Sequence, residues 1–274
     1  MEQPQLILTD LDGTLLRDDK RLSPANRAAL ERAAAGGAQV VLSTGRSFGT
    51  LSQELRDLPF LRYFILLNGA KVYDRNTDQV LFQAELPLAT AEAVFDLFEP
   101  LDACVDCYQN DRGIIAKKYY DRLDYYIKDP IALAHTRRSR QPLENFREVV
   151  HAGGETVQKL QCFFPRPELQ PPVIRQLKEQ FPHLVLSSSL PGNLEINAPG
   201  ATKGAALLAL CQVLGLDPAR AVAFGDGTND LTMIQQAGIG VAMANASPEV
   251  LAAADLVAPS NQEDGVAKVL ERWL

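Results

Sequence analysis

The sequence predicts an α/β protein: a doubly wound parallel sheet interrupted by a smaller α+β module. Three observations predict it. Short apolar runs with polar exits alternate with helix-patterned stretches at the start of the chain; the same alternation resumes near its end; and the residues between follow no such order.

LILTD, residues 6–10, reads as a buried strand with a polar exit. Ser23-Pro24 reads as an N-cap with proline at the first helical position, and Gly36-Gly37 closes the helix after RAALERAAA. AQVVLSTGR, residues 38–46, is a second buried strand ending in small polar residues. Two apolar strands joined by a helix imply a parallel βαβ unit, whose reactive groups gather at the carboxyl ends of its strands. Asp10 and the run Ser43-Thr44-Gly45-Arg46 therefore belong on one edge. A helix over 47–57 and the strand YFILLNGA, with Asn68-Gly69 at its end, continue the pattern. Later, KGAALLALCQVL (203–214) is a helix ended by Gly215, AVAFGD a strand, NDLTMIQQAG a helix, IGVAM a strand, and Ser247-Pro248-Glu249 the cap of another helix.

In the middle, a helix near 90–99 precedes a hairpin around Asn110-Asp111-Arg112-Gly113; KLQCFFP, a helix ending near Phe181, and the strands LVLSSS and NLEINA follow. The predicted division is a Rossmann-like core of residues 1–83 and 192–274 with an inserted α+β module at 84–191.

With 274 residues, 46% of them apolar, the chain can bury a proper core. A formal net charge of -7 argues against nucleic acid as partner, because a polyanion needs a basic footprint. Four cysteines suit a reducing compartment; Cys104-x-x-Cys107 has no matching pair and reads as packed thiols. MEQPQLILTD lacks the features of a signal peptide, and no run approaches the roughly 20 apolar residues of a membrane span, so no membrane and a cytoplasmic location are expected. Tyr119, Tyr120, Tyr125 and Tyr126 read as a packing stripe ahead of a binding face, Arg137, Arg138 and Arg140 as a solvated basic run, and His135, His151 and His183 receive no role.

The predicted sheet edge collects Asp10 and Asp12, Ser43 and Thr44, Lys203 at the start of a helix, and GDGTND at residues 225–230. Crowded carboxylates repel, and burial raises the cost of each. A divalent hard cation resolves the conflict, because carboxylates sharing Mg²⁺ neutralise rather than repel each other. An anion rich in oxygen would satisfy Lys203, the Thr44 hydroxyl and exposed N–H groups, and phosphate meets both demands. An EF-hand loop is excluded, since Gly13 stands fourth in the loop and not sixth; G-x-G-x-x-G is absent after the first strand, which leaves a dinucleotide oxidoreductase unsupported.

D-x-D-G-T after an apolar strand, a Ser/Thr ending the second strand, a lysine ahead of a helix and G-D-x-x-N-D after a further strand resemble the haloacid dehalogenase superfamily. STGR, NGA, the TKG around Lys203, GDGTNDLTMI, GVAMANA and the late EDG resemble its Cof-type (subclass IIB) phosphatases, whose cap is inserted between the second and third motifs. The resemblance covers nearly the whole core in order, and the inserted module in size and element type.

It implies Asp10 as the nucleophile that forms an aspartyl-phosphate and Asp12 as the acid/base. It implies Mg²⁺ on the Asp10 carboxylate, the Asp12 carbonyl and Asp226, with Asp230 ordering water around the ion. Thr44, the Gly45 N–H and Lys203 would hold the phosphoryl oxygens, with Asn229 positioning Lys203 or the phosphate. For Arg46, substrate contact and a surface salt bridge are equal alternatives; Asn68 is a substrate candidate or a turn support. Gly227 stands where relatives often have asparagine. The expected activity is Mg²⁺-dependent hydrolysis of small phosphorylated metabolites, sugar phosphates first, under a closing cap. A phosphomutase of the same architecture and a non-catalytic phospho-ligand module are the rivals. The sequence specifies neither the metabolite nor the oligomeric state.

Overall fold

The structure, a computed structural model, describes residues 3–188 and 192–274. The chain divides into two compact units, Met1–Gln83 with Ala201–Leu274, and Ala84–Gly200. The strand Asn193–Asn197 pairs with Lys159–Phe163 and Val185–Ser187 and so belongs to the second unit. The sequence boundary at 191/192 differs from this division because a strand's sheet is chosen by distant partners. Residue 191 itself, and Ser189 of the predicted strand LVLSSS, lie outside the described residues.

The first unit is built on an eight-stranded sheet in the order Leu256–Ala258, Ile239–Met243, Ala221–Gly225, Leu6–Thr9, Gln39–Ser43, Leu61–Leu66, Lys71–Asp74, Gln79–Gln83. Its first six strands are parallel; Lys71–Asp74 then pairs antiparallel with Leu61–Leu66, and Gln79–Gln83 antiparallel with Lys71–Asp74, as an added edge. Leu6–Thr9 is buried at every position, as a central parallel strand requires. Ser23 caps the helix Pro24–Ala35 by accepting from the Asn26 N–H. Gly215, left-handed at φ 66°, ends the helix Lys203–Leu214. The helix predicted over 47–57 is broken into two short turns, Phe48–Thr50 and Gln53–Arg56. Leu51 is extended between them, and the Ser52 hydroxyl caps the second turn by accepting from the Leu55 N–H.

The second unit carries a six-stranded sheet in the order Val185–Ser187, Asn193–Asn197, Lys159–Phe163, Cys104–Gln109, Arg112–Ala116, Arg140–Leu143. Asn110 and Asp111, at φ 52° and 60°, form the hairpin turn that suits twisted antiparallel strands. Tyr126 lies in an apolar cluster with Leu123, Ile127 and Phe163, and Tyr119 and Tyr120 pack against it, which supports the packing role for these three; Tyr125 departs from it, exposed and donating to Asp102. All four cysteines are buried free thiols.

Arg140 departs from the solvated run. Its helix ends at Ser139, and Arg140 opens a strand opposite Gly113. A β-carbon on Gly113 would lie 2.8 Å from Arg140 Cδ, so only glycine lets the side chain cross that strand. The guanidinium meets Asp106 at 2.9 Å and donates to the Tyr108 hydroxyl and to Gln161 Oε1. Among the described residues, no helix is long and apolar enough to cross a membrane.

Candidate active site

Asp10 follows the buried strand Leu6–Thr9, and its N–H donates to the Phe224 carbonyl at 3.0 Å, which carries the pairing one residue past the strand. Thr44 follows the next strand, where its N–H donates to the Ile65 carbonyl, and the Asn68 N–H donates to the Thr44 carbonyl. Asp226 follows Ala221–Gly225 on the other side of Leu6–Thr9. Four strands of one parallel sheet thus end at a single edge. Lys203 arrives from elsewhere: Thr202 caps its helix by accepting from the Ala205 N–H, which makes Lys203 the first helical residue.

Lys203 is fully buried, with Nζ 2.6 Å from Asp10 Oδ1 and 2.5 Å from Asp230 Oδ1. Burial opposes its charge, but Asp10 and Asp230 outweigh that penalty and raise its pKa. The second oxygen of Asp230 accepts from the N–H groups of Asp226 and Gly227, so this one carboxylate folds the GDGTND loop and holds the ammonium. Asp226 Oδ1 accepts from the Thr14 hydroxyl at 2.7 Å. Gly13, at φ +87°, makes this approach possible; a β-carbon there would sit 2.3 Å from Asp226 Oδ2.

Asp10, Asp226 and Asp230 each offer an oxygen, and the three lie within 4.8 Å of one another. One ammonium faces three carboxylates, and the shortfall registers in the proton affinity of Asp10 and Asp226. Burial pushes Asp10 well above the ordinary aspartate range; Lys203 pulls it back, while Asp230 and Asp226 push it further up. Burial, reinforced by Asp230, pushes Asp226 up to about 7 against the pull of the Thr14 hydrogen bond. Hard oxygen donors short of positive charge fit a divalent cation, which would replace those protons.

Asp12 is set apart. Its carboxylate receives Arg46 through Nε at 2.8 Å and the terminal nitrogen at 2.7 Å, and Lys20 Nζ lies 2.8 Å from Oδ1. Burial would raise its pKa, yet Arg46 and Lys20 together hold it below the ordinary value. Of the two alternatives for Arg46, the structure contains a bidentate ion pair, made with Asp12. The Asn229 amide donates to Asn68 Oδ1 at 3.2 Å, and Asn68 is buried in a left-handed turn at φ 62°. Gly45 is half-buried between Thr44 and Arg46.

Lys20, Thr14 and Asn245 were not assigned roles by sequence. Asn245, within the GVAMANA run, donates to the Gly13 carbonyl at 2.8 Å and so supports the loop that carries Asp12. Thr14 had a signal in its place next to Gly13. Lys20 had none, since a lysine in a charged turn is ordinary surface.

A family model described as haloacid dehalogenase-like hydrolase matches residues 7–270. YxeH of Bacillus subtilis (strain 168) is 33% identical over 97% of this chain and 97% of its own. The 5-amino-6-(5-phospho-D-ribitylamino)uracil phosphatase YcsE of the same strain is 29% identical over 98% of this chain and 96% of its own. The solved structure of a haloacid dehalogenase-like hydrolase from B. subtilis superposes with a TM-score of 0.87 at 26% identity, covering 98% of this chain and 100% of that one.

Proposed function

The chain belongs to the haloacid dehalogenase-like hydrolases, and we propose that it is a Mg²⁺-dependent phosphatase of small phosphorylated metabolites, sugar phosphates first, working through an aspartyl-phosphate on Asp10. The observation that carries this reading is the convergence of Asp10, Asp226 and Asp230 on buried Lys203. YcsE, whose name gives a small phosphate ester as its substrate, supports the substrate class.

Asp10 and Asp226, with the Asp12 carbonyl, would hold the cation, and Asp230 would order water around it. Bound there, Mg²⁺ supplies positive charge that neutralises the carboxylates and favours the phosphoryl group. Asp10 supplies the attacking oxygen; as its bond to phosphorus forms, the bond to the leaving oxygen breaks, and Asp12 delivers a proton to that oxygen. In the second half Asp12 takes a proton from the water that attacks the aspartyl-phosphate, which frees Asp10 and inorganic phosphate. Thr44, the Gly45 N–H and Lys203 donate to the phosphoryl oxygens as charge builds there, with Asn229 and Asn68 holding neighbouring turns in place.

Phosphate release from a panel of phosphorylated metabolites, with Mg²⁺ and after chelation, tests this. Release that requires the ion and favours compact esters over phosphoproteins is expected. Release indifferent to chelation, or none from any ester, contradicts it.

A further inference from the structure

We infer that Lys20 is a positioning residue for Asp12: with Arg46 it occupies Asp12 Oδ1 and leaves Oδ2 as the oxygen that exchanges the proton. The inference rests on the acid–base role proposed for Asp12. A carboxylate oxygen has two lone pairs to offer. Oδ1 meets the Arg46 terminal nitrogen at 2.7 Å and Lys20 Nζ at 2.8 Å, which uses both. Among the described residues, Oδ2 receives Arg46 Nε alone, so one lone pair stays open for the leaving oxygen and then for water. The proton passes from Oδ2 to the ester oxygen as its bond to phosphorus breaks, and returns to Oδ2 from the water whose oxygen bonds to phosphorus. Without Lys20 each oxygen keeps one bond to Arg46 and one open lone pair, so the two become nearly equivalent and the proton is no longer confined to Oδ2.

The turn that delivers Lys20 is built at a cost. Lys20 has φ 66° and Asp264 has φ 59°, conformations that side chains other than glycine adopt only under strain. The Lys20 N–H donates to the Arg17 carbonyl, and the Arg17 N–H to the Arg21 carbonyl. The Arg17 guanidinium is held by both oxygens of Asp264, at 2.9 and 3.2 Å, and the Asn261 amide holds the Leu16 carbonyl and Asp18. Asp264 belongs to the EDG run, for which the sequence offered no role. An ion pair as exposed as Lys20 with Asp12, at 38% and 33%, adds little stability, so stability does not account for two strained residues.

The test compares Lys20→Met, Lys20→Gly and Lys20→Arg on two esters. Glycerol phosphate leaves as an alkoxide that must be protonated; 4-nitrophenyl phosphate leaves as a stable phenolate that need not be. Lys20→Gly relieves the backbone while removing the ammonium, so a folding defect in one variant does not decide the outcome. The value of kcat/KM reports the steps through ester cleavage. It should fall about tenfold or more on glycerol phosphate and less than about threefold on 4-nitrophenyl phosphate for Met and Gly, with most of the loss restored by Arg. Equal effects on both esters, or none, in an active protein overturn the role of Lys20 alone. Absence of turnover by the unaltered protein on these two esters and on every ester of the metabolite panel overturns the phosphatase reading, and this inference with it.

Discussion

Replacing Lys203 by methionine keeps the aliphatic stem and removes only the ammonium. The residue is fully buried, and its Nζ lies 2.6 Å from Asp10 and 2.5 Å from Asp230, so the variant leaves two buried carboxylates without their cation. Breaking a buried pair from one side costs about 3–5 kcal/mol, which is roughly two to four decades in the folding constant. The cost depends on pH with a definite sign. Asp10 already has a folded pKa above its unfolded value, so its contribution is full below the unfolded pKa and is lost as pH rises. Removing Lys203 raises that folded pKa further, so the gap between variant and parent widens as pH rises. Urea unfolding in chelator, followed by fluorescence of the single tryptophan, Trp273, which lies in the first unit, measures the gap. Added Mg²⁺ should recover part of it. A loss under about 1 kcal/mol near pH 8, or one larger near pH 5.5, would refute the view that Lys203 compensates these acids.

Asp226, pushed up to about 7 from an ordinary 3.8, predicts that metal-free protein loses stability as pH rises through that interval, by a few kcal/mol at most. Metal must displace this proton, so Mg²⁺ should raise the melting temperature more near pH 8 than near pH 6; thermal melts with and without chelator check it, and a larger shift at the lower pH would contradict it. In the second unit, Arg140→Met should destabilise by about 3–5 kcal/mol because Asp106, fully buried, loses its partner. Adding Asp106→Leu should recover most of that loss in circular-dichroism melts, and a double variant no better than the single would rule out the ion pair as the cause.

The core was legible because its chemistry is local. Asp10, Asp12, Gly13 and Thr14 are consecutive or nearly so, and the structure uses the run as a unit, with Gly13 making room for Asp226 and Thr14 bonding to it. GDGTND was legible for the same reason, since Asp230 closes back on the N–H groups of Asp226 and Gly227. Arg140 was not. RRSR looks like solvated surface, and only its register against Gly113, 27 positions earlier in the chain, places it beside Asp106. The boundary at 191/192 failed to match the division at Gly200 on similar grounds, because the sheet that Asn193–Asn197 joins is decided by Lys159–Phe163. Lys20 combines both difficulties: its turn is local, but the Asp264 that pins it through Arg17 lies at the far end of the chain.

The most direct measurement is acid quenching during the first turnover with an ester carrying radioactive phosphate, followed by peptide mapping. The account predicts hydroxylamine-sensitive label on the peptide that contains Asp10, and none when Asp10 is replaced by asparagine. Product formed with label on another residue, or label that persists in the Asp10→Asn protein, would contradict it.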